Sequence, residues 1–401
     1  MKNNNYRLYF PIFKNHKKKF IYFDSAATSL KPKEVIDAIF NFYNYNGLSY
    51  KSFGPLSLQV EQLIHETRKQ TAHFINASCA EEIIFTKGTT ESLNLLAHIL
   101  SQDIEADSEI ITSELEHNSS ILPWMKIANQ KKAKLVFVPL NEENKITFSN
   151  FKKVLSSKTK IVALNHISNT FGYETPIKEI IQEVRKVRKK KALIILDAAQ
   201  SVSFKKIDVQ DLDVDFIAFS THKMYGPFGL GILFGKKNLL EKYKPFFIGG
   251  GNIQDVNHHN FTIQNLPYSY EAGTLNISSI IAFQKSLEFI QRIGLKQIQQ
   301  HNKHIIEQIT FQLKKIPQIK IFNPNADHII NFNLGNIHPH DVEEFLISKN
   351  IYVRTGKHCA DLAIKKINQT STIRISVGIY NNYEDIDILI DTLKNINNFF
   401  N

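Results

Sequence analysis

A lysine at the end of an apolar segment is the residue in this sequence best suited to covalent chemistry. Lys223 lies shortly after the apolar residues 216–219 and before a Gly/Pro-rich loop and a second apolar run at 231–234. This pattern predicts two short strands joined by a polar turn and the loop. A poorly solvated ammonium loses its proton easily, and a neutral lysine amine condenses with carbonyl compounds. A surface lysine at a strand end is the alternative. Ser220 and His222, however, place donors beside the amine, as a phosphate site requires.

A carboxylate closes another apolar segment. Residues 192–196 predict a buried strand, Asp197 follows it directly, and Gln200 lies three residues further on. A carboxylate in such a place is costly unless it meets a cation or a strong donor. Helix N-capping is the other interpretation of Asp197.

Three further predicted strands, at 82–86, 109–112 and 161–165, are also followed by polar side chains. Thr89 and Thr90 begin a helix after the first strand, where hydroxyls and free N–H groups suit a phosphate, although simple N-capping would use them too. His117 follows the second strand, where a surface or capping role is the alternative. Asn169 follows the third. Strands alternating with helices from 82 to 234 predict a largely parallel sheet, and ligands of such sheets bind beyond the carboxyl ends of the strands.

The last 50 residues contain a candidate reactive cysteine and an arginine suited to binding a carboxylate. Cys359 directly follows Lys357 and His358 on a loop containing a glycine, and the nearby positive charge is expected to favour its thiolate. Cys79 lacks such neighbours and is interpreted as a small hydrophobe. Arg374 offers a planar fork that suits a carboxylate.

Composition limits the classes of protein. The 401 residues carry a formal charge of +11 and 43% hydrophobic residues, and the length predicts two or three domains. The lysines are spread along the chain without a nucleic-acid motif, so no nucleic-acid partner is expected. The basic run at 186–191 is interpreted as charge at a helix C-terminus. Two distant cysteines, no membrane-length apolar run and no signal peptide predict a cytoplasmic protein without a membrane anchor or a metal site.

The pattern S-x-H-K-x-Y-G-P-x-G-x-G at 220–231 resembles the cofactor-lysine segment of cysteine desulfurases, which are pyridoxal-phosphate enzymes of the class V aminotransferase family. The stretch R-T-G-K-H-C-A at 354–360 is similar to that of the SUF-type branch. The resemblance covers residues 21–380 and also rests on D-S-A-A at 24–27, E-H at 116–117, H-I-S-N at 166–169, E-A-G-T at 271–274 and R-I-S at 374–376.

The resemblance implies an α/β protein of PLP-dependent transferase fold type I. Its large domain, 21–280, would hold a mostly parallel, mixed seven-stranded sheet between helices. A smaller α+β domain, 281–401, would carry the cysteine loop, and a lead-in, 1–20, would pack on it. The implied reaction removes sulfur from L-cysteine, gives alanine and leaves a persulfide on Cys359, and L-selenocysteine is the alternative substrate. A small acceptor protein would then take the sulfur.

The resemblance also implies a role for each matching residue. Lys223 would hold pyridoxal 5′-phosphate and move the substrate's α-proton, and Asp197 would keep the ring nitrogen protonated. His117 would stack on the ring and act in catalysis. Thr274 would reach the phosphate of the other subunit's cofactor, which implies a homodimer with shared sites. The remaining cofactor contacts are Thr89, Thr90, Asn169, Gln200, Ser220 and His222, and the substrate contacts are Arg354, Arg374 and Asn169.

Two positions depart from the family pattern. Asn118 stands where a second histidine is common, and the loop 47–55 has Lys51 and Gly54 where a basic residue and a histidine are usual. The second departure leaves substrate choice open. A selenocysteine lyase, a class V aminotransferase or epimerase, and a non-enzymatic protein of the same fold are the alternatives. Cys359 argues against the aminotransferase, and Lys223 with its partners argues against the non-enzymatic protein.

Overall fold

The computed structural model describes residues 6–16, 19–186 and 192–396. Its strands are β1 (Ile21–Tyr22), β2 (Ile83–Thr86), β3 (Glu109–Thr112), β4 (Lys134–Phe137), β5 (Thr159–Asn165), β6 (Leu193–Asp197), β7 (Phe216–Ser220), β8 (Gly231–Gly235), β9 (Ile253–Val256), β10 (Phe261–Ile263), β11 (Ile319–Ile321), β12 (Ile329–Leu334), β13 (Ile351–Tyr352), β14 (Arg354–Gly356) and β15 (Thr372–Ser376).

The α-helices are α1 (Ile12–Asn15), α2 (Lys33–Tyr45), α3 (Pro55–Phe74), α4 (Thr89–Leu100), α5 (Asn118–Lys131), α6 (Phe148–Lys152), α7 (Ile177–Lys186), α8 (Val209–Leu212), α9 (Lys237–Lys242), α10 (Ile277–Ile293), α11 (Leu295–Leu313), α12 (Pro339–Ser348), α13 (Asp361–Lys366) and α14 (Tyr383–Lys394). Of the basic run at 186–191, only Lys186 lies within the described residues, at the last position of α7. The last of these helices, α14, ends at Lys394, and residues 397–401 lie outside the described part.

A seven-stranded sheet in the order β2-β8-β7-β6-β5-β3-β4 occupies the first two thirds of the chain. Only β8 runs antiparallel to its neighbours, and the other strands share one direction. The carboxyl ends of β3, β5, β6 and β7 therefore meet at one edge of the sheet. This confirms the predicted α/β class with a mostly parallel, mixed seven-stranded sheet.

Successive residues of the central strands enter two separate cores. In β7, Ile217 and Phe219 pack on the face covered by α7 and α10, while Phe216 and Ala218 pack on the face covered by α4 and α5. A strand buried on both faces has no polar alternation, which explains why β6 and β7 are continuous apolar runs. Both strands are fixed within the sheet, so the polar residues at their ends are fixed as well.

A second sheet, β11-β12-β15-β14, is antiparallel and packs with α11, α12 and α14 around its own core. Strand β1 pairs in parallel with β13, and Ile21 and Phe23 lie in this C-terminal core although they come from the start of the chain. The division at residues 20 and 280 stays a prediction. Phe10 of the lead-in is buried, with its ring 4.9 Å from that of Tyr380 and 5.7 Å from that of Phe289.

No helix within the described residues is long and apolar enough to cross a membrane.

Candidate active site

A cavity of about 230 Å³ opens at the carboxyl edge of the seven-stranded sheet. Twelve of the thirteen predicted site residues line it: Thr89, Thr90, His117, Asn169, Asp197, Gln200, Ser220, His222, Lys223, Arg354, Cys359 and Arg374. The thirteenth, Thr274, is exposed and is not part of this lining. The strand ends of the seven-stranded sheet and the C-terminal segments of β14 and β15 thus bring together residues that are up to 285 positions apart in the sequence.

Lys223 ends a single 3-10 turn that follows β7. Burial lowers the pKa of its ammonium, and the Arg374 charge lowers it further, whereas Asp197 opposes the shift. Among the described residues, its Nζ has no hydrogen-bond partner. Lys223 is therefore placed to act as a neutral amine, as a lysine that condenses with a carbonyl must.

The turn is held at the peptide that precedes Lys223. The carbonyl of His222 accepts hydrogen bonds of 3.0 Å from Ser29 N, Thr28 Oγ1 and Lys31 Nζ. Lys31 lies 4.6 Å above the ring of Phe228, and burial lowers its pKa to about 7. Sequence reasoning missed Lys31, because its only signal is a position just after the D-S-A-A turn.

Asp197 is the last residue of β6 and is 6% exposed. One carboxylate oxygen, Oδ1, accepts a 3.0 Å bond from Ala199 N. Burial raises the pKa of this carboxyl group, and the Lys223 charge opposes the rise. A cationic donor in the cavity would relieve that cost, which is the role predicted for a protonated ring nitrogen. Gln200 is fixed beside it, since its Nε2 donates to Ala26 O at 2.9 Å.

The first turn of α4 forms a polar seat at one side of the cavity. Ser220 Oγ accepts from Thr89 N at 2.8 Å and shares a 2.7 Å bond with Thr89 Oγ1, and Thr90 Oγ1 lies 2.8 Å from Ser119 Oγ. A Cβ on Gly231 would lie 2.4 Å from Gly88 Cα, so only glycine lets β8 pass this helix start. Hydroxyls at the positive end of a helix suit a phosphate.

His117 caps α5 and faces the cavity. Its Nδ1 accepts a 3.1 Å bond from Ser119 N, so capping and cavity lining occur together. Burial lowers its pKa to about 4, and the charges of Lys223, Arg374 and Arg354 lower it further. The ring is therefore neutral at pH 7, with its proton on Nε2.

Glu116, one residue earlier, is a buried carboxyl group that sequence reasoning did not single out. It accepts hydrogen bonds from Ser113 Oγ at 2.7 Å, Asn165 Nδ2 at 2.9 Å and Ser120 Oγ at 3.0 Å. Burial raises its pKa to about 7, and the Asp197 charge adds to this rise. These bonds tie the segment bearing His117 to the end of β5.

Arg374 is 2% exposed and uses two arms of its guanidinium group. Nη1 donates to Asn169 O at 2.9 Å, and Nη2 donates to Asp24 Oδ1 at 2.9 Å. Arg354 Nη1 lies 3.9 Å from Asp24 Oδ2. The turn containing Asp24 was noted only as part of the family pattern, and the contacts of its carboxylate with both arginines were not predicted.

The loop of Cys359 is anchored at three points. Cys359 O accepts from Asn118 N at 2.7 Å, His358 O accepts from Asn169 Nδ2 at 2.8 Å, and Asp361 Oδ2 accepts from Asn118 Nδ2 at 3.0 Å. His358 and Cys359 have φ values of 55° and 53°, in the left-handed region that non-glycine residues avoid. The anchors hold this strained turn, and the side chain of Cys359 is exposed.

The expected source of positive charge beside Cys359 was partly wrong. His358 is buried and shares a 2.8 Å bond with Thr372 Oγ1, and burial lowers its pKa to about 2, so it is neutral. Lys357 pairs with Asp361 at 3.0 Å. The charged groups that share the cavity with Cys359 are instead the guanidinium groups of Arg354 and Arg374.

Cys79 lies in the opposite environment. Burial raises the pKa of its thiol, and the neighbouring Glu81 and Glu82 raise it further. Its interpretation as an unreactive thiol agrees with these surroundings. The described residues hold no cluster of three or more potential metal ligands, and the adjacent His258 and His259 are exposed.

The loop that carries Thr274 is fixed by a buried ion pair. Glu271 meets Arg68 through two bonds of 2.7 and 2.8 Å, and its Oε1 also accepts from Phe85 N at 2.8 Å. A Cβ on Gly251, which has a φ of 101°, would lie 2.5 Å from Lys51 Nζ, so the loop containing Lys51 lies against the same region.

The chain belongs to the aminotransferase class-V family, whose model matches residues 21–389. It is 36% identical to a probable cysteine desulfurase of Streptomyces coelicolor over 95% of this chain and 93% of that protein. It is 37% identical to a probable cysteine desulfurase of Staphylococcus aureus over 98% and 96% of the two chains. The fold is similar to that of the cysteine desulfurase CsdA from Escherichia coli in its S-sulfonic acid form, with a TM-score of 0.92, 30% identity and 98% of each chain covered.

Membership of this family confirms the predicted cofactor, pyridoxal phosphate. The cavity also fits it chemically: it offers a deprotonatable lysine, a buried carboxylate in need of a cation and a hydroxyl-lined helix start. His222 Nδ1 and Asn169 Oδ1 are buried there without a partner among the described residues. The assignment to the SUF-type branch stays a prediction.

Proposed function

We propose that this protein is a SUF-type cysteine desulfurase, which converts L-cysteine into L-alanine and leaves the sulfur as a persulfide on Cys359. The observation that carries the proposal is the placement of an exposed thiol, on an anchored left-handed turn, in the same cavity as Lys223 and Asp197. An aminotransferase or an epimerase has no use for that thiol. The similarity to proteins named cysteine desulfurases supports the same activity.

Eight residues of the same subunit would hold the cofactor besides Lys223. Asp197 would meet the ring nitrogen, His117 the face of the ring, and the polar seat at the start of α4 the phosphate. When bound, pyridoxal phosphate supplies an aldehyde that captures amines and a cationic ring that withdraws electrons from the substrate's α-carbon. The proposed cofactor contacts beyond these are Asn169, Gln200, Ser220 and His222.

The chain's own groups would bind the substrate and move its protons. Arg374, assisted by Arg354, would bind the substrate carboxylate through its fork, with Asp24 holding the guanidinium group in place. Lys223, whose pKa is lowered by burial, would accept the α-proton as a neutral amine. His117 carries its proton on Nε2 and would exchange it with the substrate thiol.

In the sulfur step Cys359 is the residue of the chain that bonds to the substrate sulfur, and the bound cofactor would supply the electron sink that lets the Cβ–S bond break. The Cys359 thiolate attacks the substrate sulfur, so an S–S bond forms and the Cβ–S bond breaks. The electron pair of that bond stays with the carbon, which takes a proton and leaves as alanine. The anchors at Asn118 and Asn169 limit how far the attacking sulfur can move.

We also propose a homodimer in which Thr274 completes the phosphate site of the partner subunit. Thr274 is exposed, on a loop that the Arg68–Glu271 pair holds rigid. Large apolar side chains are exposed on the segments near this loop, and an apolar surface of this kind is typical of an interface. They include Phe40, Tyr43, Phe53, Leu56, Phe246, Phe247 and Ile248.

A cytoplasmic location and a small acceptor protein that takes the sulfur from the exposed Cys359 are further parts of the proposal.

The test is a product assay on the purified protein with L-cysteine. Wild type and Cys79→Ala are expected to form alanine and, with a thiol reductant, sulfide at equal rates, whereas Cys359→Ala loses both products. A selenocysteine lyase would release selenium from L-selenocysteine without Cys359. Undiminished alanine and sulfide formation by Cys359→Ala would overturn the proposed function.

A further inference from the structure

A second, smaller cavity lies behind Lys223. Its volume is about 20 Å³, and Ala26, Gln200 and Lys223 line both this cavity and the larger one. Its far wall comes from the C-terminal part of the chain, with Asn302 of α11 and His328 directly before β12. The small cavity therefore lies at the junction between the two parts of the molecule, on the other side of the lysine.

Most of the hydroxyl groups around the small cavity already have partners. Ser25 Oγ shares a 2.7 Å bond with Tyr380, Ser29 Oγ accepts from Tyr225 N at 2.6 Å, and Ser376 Oγ accepts from Ala26 N at 2.8 Å. These groups fix the walls and leave little free hydrogen-bonding capacity there.

Two polar atoms in the wall differ from the hydroxyls. Asn302 Oδ1 and His328 Nε2 are buried and have no hydrogen-bond partner among the described residues. Their side chains belong to residues that are only 4% and 6% exposed. A buried polar atom without a partner is costly, and such atoms in native proteins usually bind ordered water.

We propose that the small cavity is a binding site for one water molecule, which bridges Asn302 Oδ1 and His328 Nε2 next to Lys223. About 10–15 Å³ is enough for a water molecule, so the small cavity has room for one. No carboxylate lines the cavity, and Lys223 is a cation when protonated, so a metal ion is disfavoured. The ring of His328 is held 4.6 Å from that of Phe204.

The water would give Lys223 a hydrogen-bonding neighbour on the side away from the substrate. Lys223 Nζ has no hydrogen-bond partner among the described residues. A hydrogen bond to a neighbouring water would hold this amine in position while it takes up and returns the proton. Asn302 and His328 would thus act as positioning residues for the lysine. This second part depends on the proposed function, whereas the binding site itself does not.

Crystal structures at about 1.5 Å resolution test the site directly. In the wild type we expect a water peak about 2.7–3.2 Å from both Asn302 Oδ1 and His328 Nε2. The peak should persist in Asn302→Asp, which keeps an acceptor, and vanish in Asn302→Leu. A dry cavity in the wild type, or an ion identified there by anomalous scattering, overturns the proposal even if no variant folds.

Exchange of the α-hydrogen of L-alanine with solvent deuterium tests the effect on Lys223 without involving Cys359. The holoenzyme with Asn302→Leu should exchange about tenfold more slowly than wild type, the effect of one lost hydrogen bond, and Asn302→Asp should stay close to wild type. Equal rates in wild type and Asn302→Leu refute the positioning role. If the wild type does not exchange at all while the water peak is present, the proposed function fails and the binding site stands.

Discussion

The buried pair Arg68–Glu271 should contribute strongly to stability, and Glu271→Gln is the change that tests it. The two side chains are 3% and 1% exposed and make two parallel bonds of 2.7 and 2.8 Å. Glu271 also accepts from Phe85 N, and Arg68 donates to Ile83 O. The substitution leaves the arginine charge buried without its counter-ion, close to β2.

The size of the effect follows from that geometry. Removing one partner of a buried ion pair costs about 3–5 kcal/mol. An unfolding entropy of about 2.1 cal/mol/K per residue gives about 0.8 kcal/mol/K for a chain of this length, so the Tm should fall by about 4–6 °C. The double variant Arg68→Met with Glu271→Gln should lose less than the sum of the single changes, because no buried charge then remains.

Calorimetry of the four proteins, all in the same cofactor state, measures these values. The matched control is Asp37→Asn, which removes the exposed pair of Lys33 and Asp37 and should shift the Tm by less than about 1 °C. If Glu271→Gln behaves like this control, or if the two single losses add fully in the double variant, the reasoning about the buried pair is wrong.

Three other predictions concern the cysteine loop, acid and the dimer. Asn118→Ala should slow persulfide formation on Cys359 by about tenfold with unchanged KM, because it removes the one hydrogen bond from Asn118 Nδ2 to Asp361. Single-turnover kinetics measure this rate, and an unchanged rate contradicts the prediction. Burial lowers the pKa of His166 from 6.5 to about 3. Between these pH values the unfolded state binds a proton on this side chain and the folded state does not. Stability should fall below pH 6.5, by about 1.4 kcal/mol per pH unit for each such histidine, and thermal unfolding of His166→Gln should show a shallower decline than wild type. Mixing Lys223→Ala with Thr274→Ala should give heterodimers with one intact site, and no recovery of activity in demonstrated heterodimers would refute the shared site.

Much of the sheet could be predicted because its strands carry unambiguous signals. The strand predicted at 109–112 has the same bounds as β3, and the strand predicted at 82–86 differs from β2 by one residue. The predicted meeting of His117, Asn169, Asp197 and Lys223 is confirmed, since the carboxyl ends of parallel strands share one edge. Continuous apolar runs and the alternation of predicted strands with helices sufficed for these features.

The contacts that orient the site could not be predicted, because they depend on distant pairs. Asp24 and Arg374 are 350 positions apart, and nothing in either local sequence indicates that they meet. The expected positive charge on His358 was wrong, since a local charge count ignores the burial that keeps this ring neutral. Helical spacing likewise did not show that Phe40 of α2 would be exposed at 64%, because the pattern does not tell a core from an interface.

The most direct test of the central claim is mass spectrometry of the holoenzyme after one turnover with L-cysteine. We expect the peptide that contains residue 359 to be heavier by one sulfur atom, with alanine formed in equal amount, and the peptide that contains Cys79 to be unchanged. If the holoenzyme forms alanine and sulfide while no sulfur adduct appears on Cys359, the account is contradicted.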